Sequence, residues 1–278
     1  MIEGALYVCD LSMGGGATWA DFERDYIGGA ANVAQACLQH GVRRLLYTSS
    51  IAALFLGSGK PVDEEDGCDP LPLKRGFYGR AKIGAERALL NLHASHNLPV
   101  VIFRPGVVVG PGGMLVHGAL GDSSSETSIV GYGRGTHPLP WVLVEDVASA
   151  MFLARNVPGI EGKAFNLAGD VRPTAVEFIA ELRRRSRRNF RFIPRAIWKM
   201  ALAEYSRWGL KALMHKPGNV LVGMRDTRQL QFSSFLVNSQ AKALLGWKPV
   251  SDSEEFYRQT IDCHLPPLHP GDLRLTAG

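Results

Sequence analysis

The chain has 278 residues, 46% of them hydrophobic and 21% charged, with a net charge of +5. That is an ordinary globular balance: the charge suits an anionic cofactor or substrate but is too small to argue for nucleic acid, and no apolar run approaches the roughly 18 residues that cross a bilayer. Met1 to Leu11 has no basic segment before an apolar one, and the four scattered cysteines (Cys9, Cys37, Cys68, Cys263) form no C-x-x-C pair, so neither a secretory signal nor a disulfide framework is expected and the expected compartment is the cytoplasm.

Ala5–Leu11 reads as a strand, and Trp19–His40 follows with helical spacing, ending where Gly41 suits the position after a helix. Arg44–Thr48 is a strand, Leu54–Pro72 a loop rich in Gly, Pro and Asp, Phe77–Ser95 a helix, and Val100–Phe103 a buried strand leading into Arg104-Pro105-Gly106. Continuous apolar strands alternating with helices indicate a parallel sheet covered on both faces. Gly110–Pro140 is loop-rich. Trp141–Val144 is a short strand, Glu145–Arg155 a helix and Ala164–Leu167 a strand. Thr174 with Glu177 makes a capping box for the next helix. Phe190–Ile193 alternates like a strand, Ile197–Leu213 carries an apolar and aromatic side, and Ser239–Leu245 is a short helix before Gly246-Trp247-Lys248-Pro249.

Tyr78-Gly79-Arg80-Ala81-Lys82 places a phenol and an ammonium four residues apart on a predicted helix, hence on one face. A tyrosine ordinarily keeps its proton to about pH 10. A neighbouring cation stabilises the phenolate, and a serine hydroxyl such as those in Thr48-Ser49-Ser50 can hold the same substrate oxygen. These are the parts needed to move a proton on or off an alcohol while hydride moves at its carbon.

Taken in order, the motifs resemble the extended short-chain dehydrogenase/reductase family, which includes nucleotide-sugar epimerases and 3β-hydroxysteroid dehydrogenases. Gly28–Cys37 resembles the helix before the family's serine strand, and Leu46-Tyr47-Thr48-Ser49-Ser50-Ile51 that strand. Tyr78 and Lys82 follow at the expected distance, and Arg104–Gly112 resembles the strand end beside the nicotinamide. Leu143–Ala148 and Leu245–Pro249 resemble later landmarks, so the likeness runs from about residue 6 to residue 262.

The resemblance implies a doubly wound Rossmann-type parallel sheet with a smaller C-terminal substrate lobe, divided at residues 1–170 and 171–278, with a substrate-lobe insertion near 111–140. It implies Tyr78 as general acid/base, Lys82 as its electrostatic partner and a ligand of the nicotinamide ribose, and Ser50 as the group orienting the substrate oxygen. It also implies that NAD or NADP is bound through Leu11, Ser12, Thr48, Ser49, Tyr78, Lys82, Pro105, Gly106, Val107 and Val108. The implied partner is a small molecule, with no nucleic acid and no metal; a homodimer and peripheral membrane contact are both compatible, the latter without being predicted. Ile51-Ala52 stands where the family's dehydratases carry an acidic pair, which disfavours sugar dehydration. His137-Pro138-Leu139-Pro140-Trp141 leans toward the sterol branch, and a nucleotide-sugar epimerase remains open.

Three features depart from the family pattern. A strand, glycine-rich turn and helix to receive the pyrophosphate are missing, since Gly14-Gly15-Gly16 has neither the place nor the spacing. The sheet is therefore expected to lack its first strands, about 60–70 residues at two βαβ units, and to expose an unpaired edge. Asp10 stands where relatives often have histidine, and Tyr26 near the position of an asparagine found in many relatives. A second reading follows: a non-catalytic remnant or fragment that keeps the substrate lobe and does not bind cofactor alone.

Other features suggest simpler roles. Arg183–Arg188 reads as a solvated helix end, and His93 with His96 as a solvated pair. Gly57-Ser58-Gly59-Lys60-Pro61 lacks the first glycine and the Ser/Thr of a phosphate-binding loop, and neither Ser49 nor Ser50 sits in G-x-S-x-G. Ile197–Leu213 suits a substrate-cap helix, an interfacial helix or ordinary packing.

Overall fold

The computed structural model of the chain describes residues 3–214 and 223–265; residues 1–2, 215–222 and 266–278, which include parts of the two expected regions, lie outside the described residues. Strands β1 (Tyr7–Asp10), β2 (Arg44–Thr48), β3 (Val100–Pro105) and β8 (Ala164–Leu167) form one parallel sheet in the order β1-β2-β3-β8. β2 and β3 are buried almost throughout, which is why they read as unbroken apolar runs.

Helices cover both faces. α2 (Gly29–Gln39) and α3 (Phe77–His96) pack on one, with Ala30, Ala34, Cys37, Ala85 and Leu89 meeting Leu45, Val100 and Ile102. α4 (Val144–Ala154) and α8 (Ser239–Leu245) pack on the other, where Met151, Leu245 and Trp247 meet Leu46, Phe103 and Phe165. The indole of Trp247 donates to the Asp146 carbonyl at 2.8 Å. The second half of the chain therefore returns to the main sheet after residue 239.

The predicted single helix Trp19–His40 is one helical path in three parts: α1 (Trp19–Phe22), a π-helical stretch Glu23–Gly28, then α2. Thr18 and Asp21 close its start as a capping box, and Gly41 takes a left-handed φ of 60° beyond its end. The long predicted loop 110–140 contains more structure than its composition suggests. β4 (Val107–Val109) pairs in parallel with β7 (Trp141–Leu143), and β5 (Asp122–Ser125) forms a hairpin with β6 (Ser128–Val130). β6 then pairs with β9 (Arg191–Ile193), which follows α5 (Ala175–Ser186). Its core includes Trp141 stacked on Phe178 at 4.9 Å.

α6 (Ile197–Leu213) buries Met200 and Ala201 and leaves Trp198, Leu202 and Leu213 exposed. Two further short helices, α7 (Met224–Gln229) and α9 (Ser253–Thr260), complete the described elements. Among the described residues no helix is long and apolar enough to cross a membrane. β1 pairs with β2 alone among the described strands, and Leu6, Leu11 and Phe152 are exposed near that margin.

The segment between β2 and α3 is held to α7 by buried charge. Asp69, with no exposed side-chain surface, accepts from Arg75 at 2.8 Å and from Arg225 at 2.7 and 2.8 Å. Arg75 also donates to Leu54 O at 2.6 Å and to Asp226 at 2.8 Å. Asp69→Ala would remove the buried carboxylate shared by two guanidinium groups, leaving the almost fully enclosed Arg75 with only Asp226 and Leu54 O. The expected loss is about 3–5 kcal/mol of unfolding free energy, read by urea denaturation; a loss below 1 kcal/mol would show that the cluster does not hold this segment.

Candidate active site

A cavity of about 530 Å³ opens at the carboxyl ends of β1, β2 and β3, the place where parallel α/β sheets present their ligand crevice. All the residues expected at the site line it: Leu11 and Ser12 after β1, Thr48, Ser49 and Ser50 at the end of β2, Tyr78 and Lys82 from α3, and Pro105 to Val108 from the β3–β4 turn. Met13, Ile51, His117, Gly118, Ala119, Leu230 and Phe232 also line it and were not singled out from sequence. Met13 and Ile51 adjoin expected residues. His117–Ala119 lie in the region read as a substrate-lobe insertion, and Leu230 and Phe232 follow α7, which carried no periodic signal.

Local packing explains the meeting of Ser50 and Tyr78. Ser50 precedes a 3-10 turn, Ile51–Ala53, and its Oγ accepts from Ala52 N at 3.1 Å, which leaves its own proton available to donate. Ser49 is committed elsewhere: its hydroxyl donates to Glu86 at 2.5 Å and it is buried. The two adjacent serines therefore differ, and Ser50 is the one with donor capacity toward the cavity. α3 approaches this turn so closely that a Cβ on Gly79 would stand 2.9 Å from Ala52 O. The α3 start is capped from another element, since the Asp226 carboxylate accepts from Gly76 N.

Lys82 is buried, and its Nζ donates to Thr48 O at 2.9 Å. Burial pulls its pKa down to about 8, against the opposing pull of the Asp10 and Glu86 carboxylates. One turn further along α3, Glu86 accepts from Arg104 at 2.7 Å, from Ser49 and from the Cys68 thiol at 3.1 Å. Burial first, then Glu86, pushes that thiol up to about 12, so Cys68 stays protonated and donates. His117 is held below its ordinary pKa by burial and accepts from Ala119 N at 3.0 Å, so it is neutral near pH 7.

Gly14-Gly15-Gly16 serves packing. A Cβ at Gly14 would collide with Asp25, and one at Gly16 with Asp21. The helix start beyond them is already occupied by the Thr18–Asp21 box, with Asp21 accepting from Thr18 N at 3.0 Å. A dinucleotide pyrophosphate would meet carboxylates there. This segment therefore does not form a glycine-rich phosphate-binding turn.

The remaining candidates have local roles. Arg185 joins Glu181, Glu254 and Asp262 in surface pairs. His93 meets Leu98 O at 2.7 Å and His96 meets Ser95, and no group of three metal-ligating side chains occurs among the described residues. Gly57 lets its loop pack on Arg228 of α7.

A parallel sheet layered by helices, with its cavity at the strand ends, defines a Rossmann-type α/β protein. The chain belongs to the NAD dependent epimerase/dehydratase family, whose model matches residues 14–168, more than half of it, within the extended short-chain dehydrogenase/reductases. It is 26% identical over 257 residues to a decarboxylating sterol-4-alpha-carboxylate 3-dehydrogenase of Candida albicans, covering 87% of this chain and 71% of that protein. It is 25% identical over 240 residues to a UDP-glucose 4-epimerase of Vibrio cholerae, covering 85% and 68%. The fold matches a crystal structure of UDP-glucuronic acid 4-epimerase from Bacillus cereus in complex with NAD, with TM-score 0.68 and 16% identity over 94% of this chain and 75% of that one.

Gly79→Ala sets two effects against each other. Alanine gains about 1 kcal/mol of helix propensity over glycine, whereas forcing a methyl against the Ala52 carbonyl costs about 1–3 kcal/mol. A net destabilisation of about 1 kcal/mol is expected in chemical denaturation, and a stabilised variant would show that α3 does not press on the Ser50 turn.

Proposed function

We propose that this cavity performs proton transfer coupled to hydride transfer at a carbinol or carbonyl carbon, with Tyr78 as general acid/base, Lys82 as its charged partner and Ser50 holding the substrate oxygen. The observation that carries this reading is the convergence of those three side chains on one cavity, walled by Pro105 to Val108. A nicotinamide, when bound, supplies the hydride donor or acceptor. In the oxidising direction the substrate hydroxyl gives its proton to Tyr78 Oη, and the Lys82 ammonium offsets the charge Tyr78 carries while that proton is away. In the reducing direction Tyr78 returns a proton to the carbonyl oxygen, which Ser50 Oγ holds by donating to it.

Leu11, Ser12, Thr48, Ser49 and Pro105 to Val108 would hold the nicotinamide and its ribose, with Lys82 donating to the ribose. The relatives' names suggest a sterol-like or nucleotide-sugar hydroxyl, and the cavity's apolar wall of Leu11, Met13, Ile51, Val107, Leu230 and Phe232 favours the sterol-like substrate. We propose residues 1–170 as the dinucleotide-side region and 171–278 as the substrate lobe, with α8 and Trp247 of the latter returning to pack on the main sheet. In support, the hairpin β5–β6 from the 111–140 insertion joins β9 of that lobe in one sheet.

Tyr78→Phe is expected to lower kcat by about 100-fold or more, with NADH affinity, followed by fluorescence or a melting shift, changed by less than about threefold. Near-normal turnover would remove Tyr78 from the chemistry. A second outcome concerns pH. Lys82 is charged below about 8 and neutral above it, and carbonyl reduction needs both that charge and the Tyr78 proton. The rate of reduction should therefore fall as pH rises through about 8; a flat profile from pH 7 to 9 would show that the ammonium is not used.

A further inference from the structure

The Lys82 ammonium is withdrawn from water, yet neither neighbouring carboxylate serves it directly. Asp10 Oδ1, at the end of β1, accepts from Ser12 N and Oγ at 2.9 and 2.6 Å, and Glu86, on the same helix, is taken up by Ser49, Cys68 and Arg104. One hydrogen bond, to Thr48 O, uses one of three N–H groups. Two aromatic rings face the ammonium. Its Nζ lies 5.2 Å from the centroid of Tyr47 on β2 and 5.2 Å from that of Tyr26, within the range where the negative face of a ring attracts a cation.

Tyr26 reaches this place through the π-helical stretch Glu23–Gly28. Such a wide turn interrupts the 3.6-residue phase of a helix and often marks a functional position. Its side chain is held from several directions: the hydroxyl donates to Gly14 O at 2.9 Å, Phe22 stacks on the ring at 5.6 Å, and the Tyr78 ring meets it edge-on at 5.7 Å. One buried ring therefore touches both members of the proposed proton-transfer pair.

We propose that Tyr26 is a positioning residue, forming with Tyr47 a two-sided aromatic clamp on the Lys82 ammonium while its contact with Tyr78 orients the phenol. This rests on the reading of Tyr78 and Lys82 as the reacting pair. The groups facing Lys82 are Asp10 from the end of β1, Tyr47 from β2, Tyr26 from the π-helical stretch, and Tyr78 and Glu86 from α3. Of these, the rings of Tyr26 and Tyr47 stabilise charge without themselves carrying any.

The test keeps shape constant and changes only the charge on the ring face. Tyr26→Phe removes the hydroxyl, and phenylalanines bearing one, two and three ring fluorines at position 26 weaken the face stepwise. The readout is the titration midpoint of Lys82 in the whole chain, from NMR of ε-¹³C-lysine with the resonance assigned by Lys82→Arg. A weaker face stabilises the ammonium less, so the midpoint must move down. It should lie near 8 in the unaltered chain, stay there in Tyr26→Phe, and fall across the fluorinated series by about half a unit or more. A flat series would overturn the clamp. Tyr26→Phe and the trifluorinated variant should share an NADH affinity within about threefold, while the fluorinated form loses kcat at pH 8; equal kcat at that pH would also count against the proposal. Failure of the proton-transfer reading shows up separately, as normal turnover in Tyr78→Phe, and does not alter the titration.

Discussion

The buried pair of Glu86 and Arg104 determines where α3 sits, and the site depends on α3. Both side chains are almost completely enclosed, so the pair costs desolvation that its attraction only partly recovers, while stranding either member costs about 3–5 kcal/mol. Its value is positional. Arg104 comes from β3, Ser49 from the end of β2 and Cys68 from the loop before α3, and all three converge on the Glu86 carboxylate. Burial works against the Arg104 charge and Glu86 outweighs it, holding the guanidinium above its ordinary pKa. A slide of α3 by one turn would break every one of these bonds. Lys82 and Tyr78 lie one and two turns back along the same face, so their positions follow from that of Glu86.

The other end of this run is anchored independently. Asp226 of α7 accepts from Gly76 N and Arg75, and Arg75 in turn reaches Asp69 and Leu54 O. Tyr78 therefore sits between a capped helix start and a buried ion pair, while Gly79 lets the helix close on the Ser50 turn. α7 contributes both this cap and the chain that leads to Leu230 and Phe232 in the cavity wall. The start of α3 and the α7 side of the cavity wall are thus tied through one aspartate.

The sheet was legible because β2 and β3 are buried almost throughout and their centres are apolar runs; Ala164–Leu167 and Ser239–Leu245 fall at the residues their patterns indicate. The residues proposed for the site were picked out by their order along the chain, and they line one cavity. What could not be read has physical causes. The π-helical turn at Glu23–Gly28 has no propensity signature, so Tyr26 stood as a departure whose ring contacts with Lys82 and Tyr78 emerge only in three dimensions. Asp122–Ser125 is polar throughout and its strand exists through pairing with β6, which composition does not reveal. Glu86 was hidden in the helical pattern, although its spacing of four from Lys82 is the same signal that marked Tyr78. Asp226 sits on a helix of six residues, too short for periodicity to show.

Charge placement sharpens what the cavity can bind. The chain carries +5 overall, but in its densest cationic stretch, at the end of α5, Arg184 and Arg185 pair with Glu181, Glu254 and Asp262, away from the cavity. Among the described residues lining the cavity, Lys82 is the charged one, His117 being kept neutral by burial. A single ammonium near its own titration point suits the transient charge of a phenolate or an alkoxide better than the standing charges of a pyrophosphate, which need several oriented N–H groups. The Gly14–Thr18 segment packs instead against Asp21 and Asp25. On the proposed reading the electrostatics of this cavity serve one moving proton: burial pulls the Lys82 pKa down, and two rings and two offset carboxylates surround the ammonium and favour its charge.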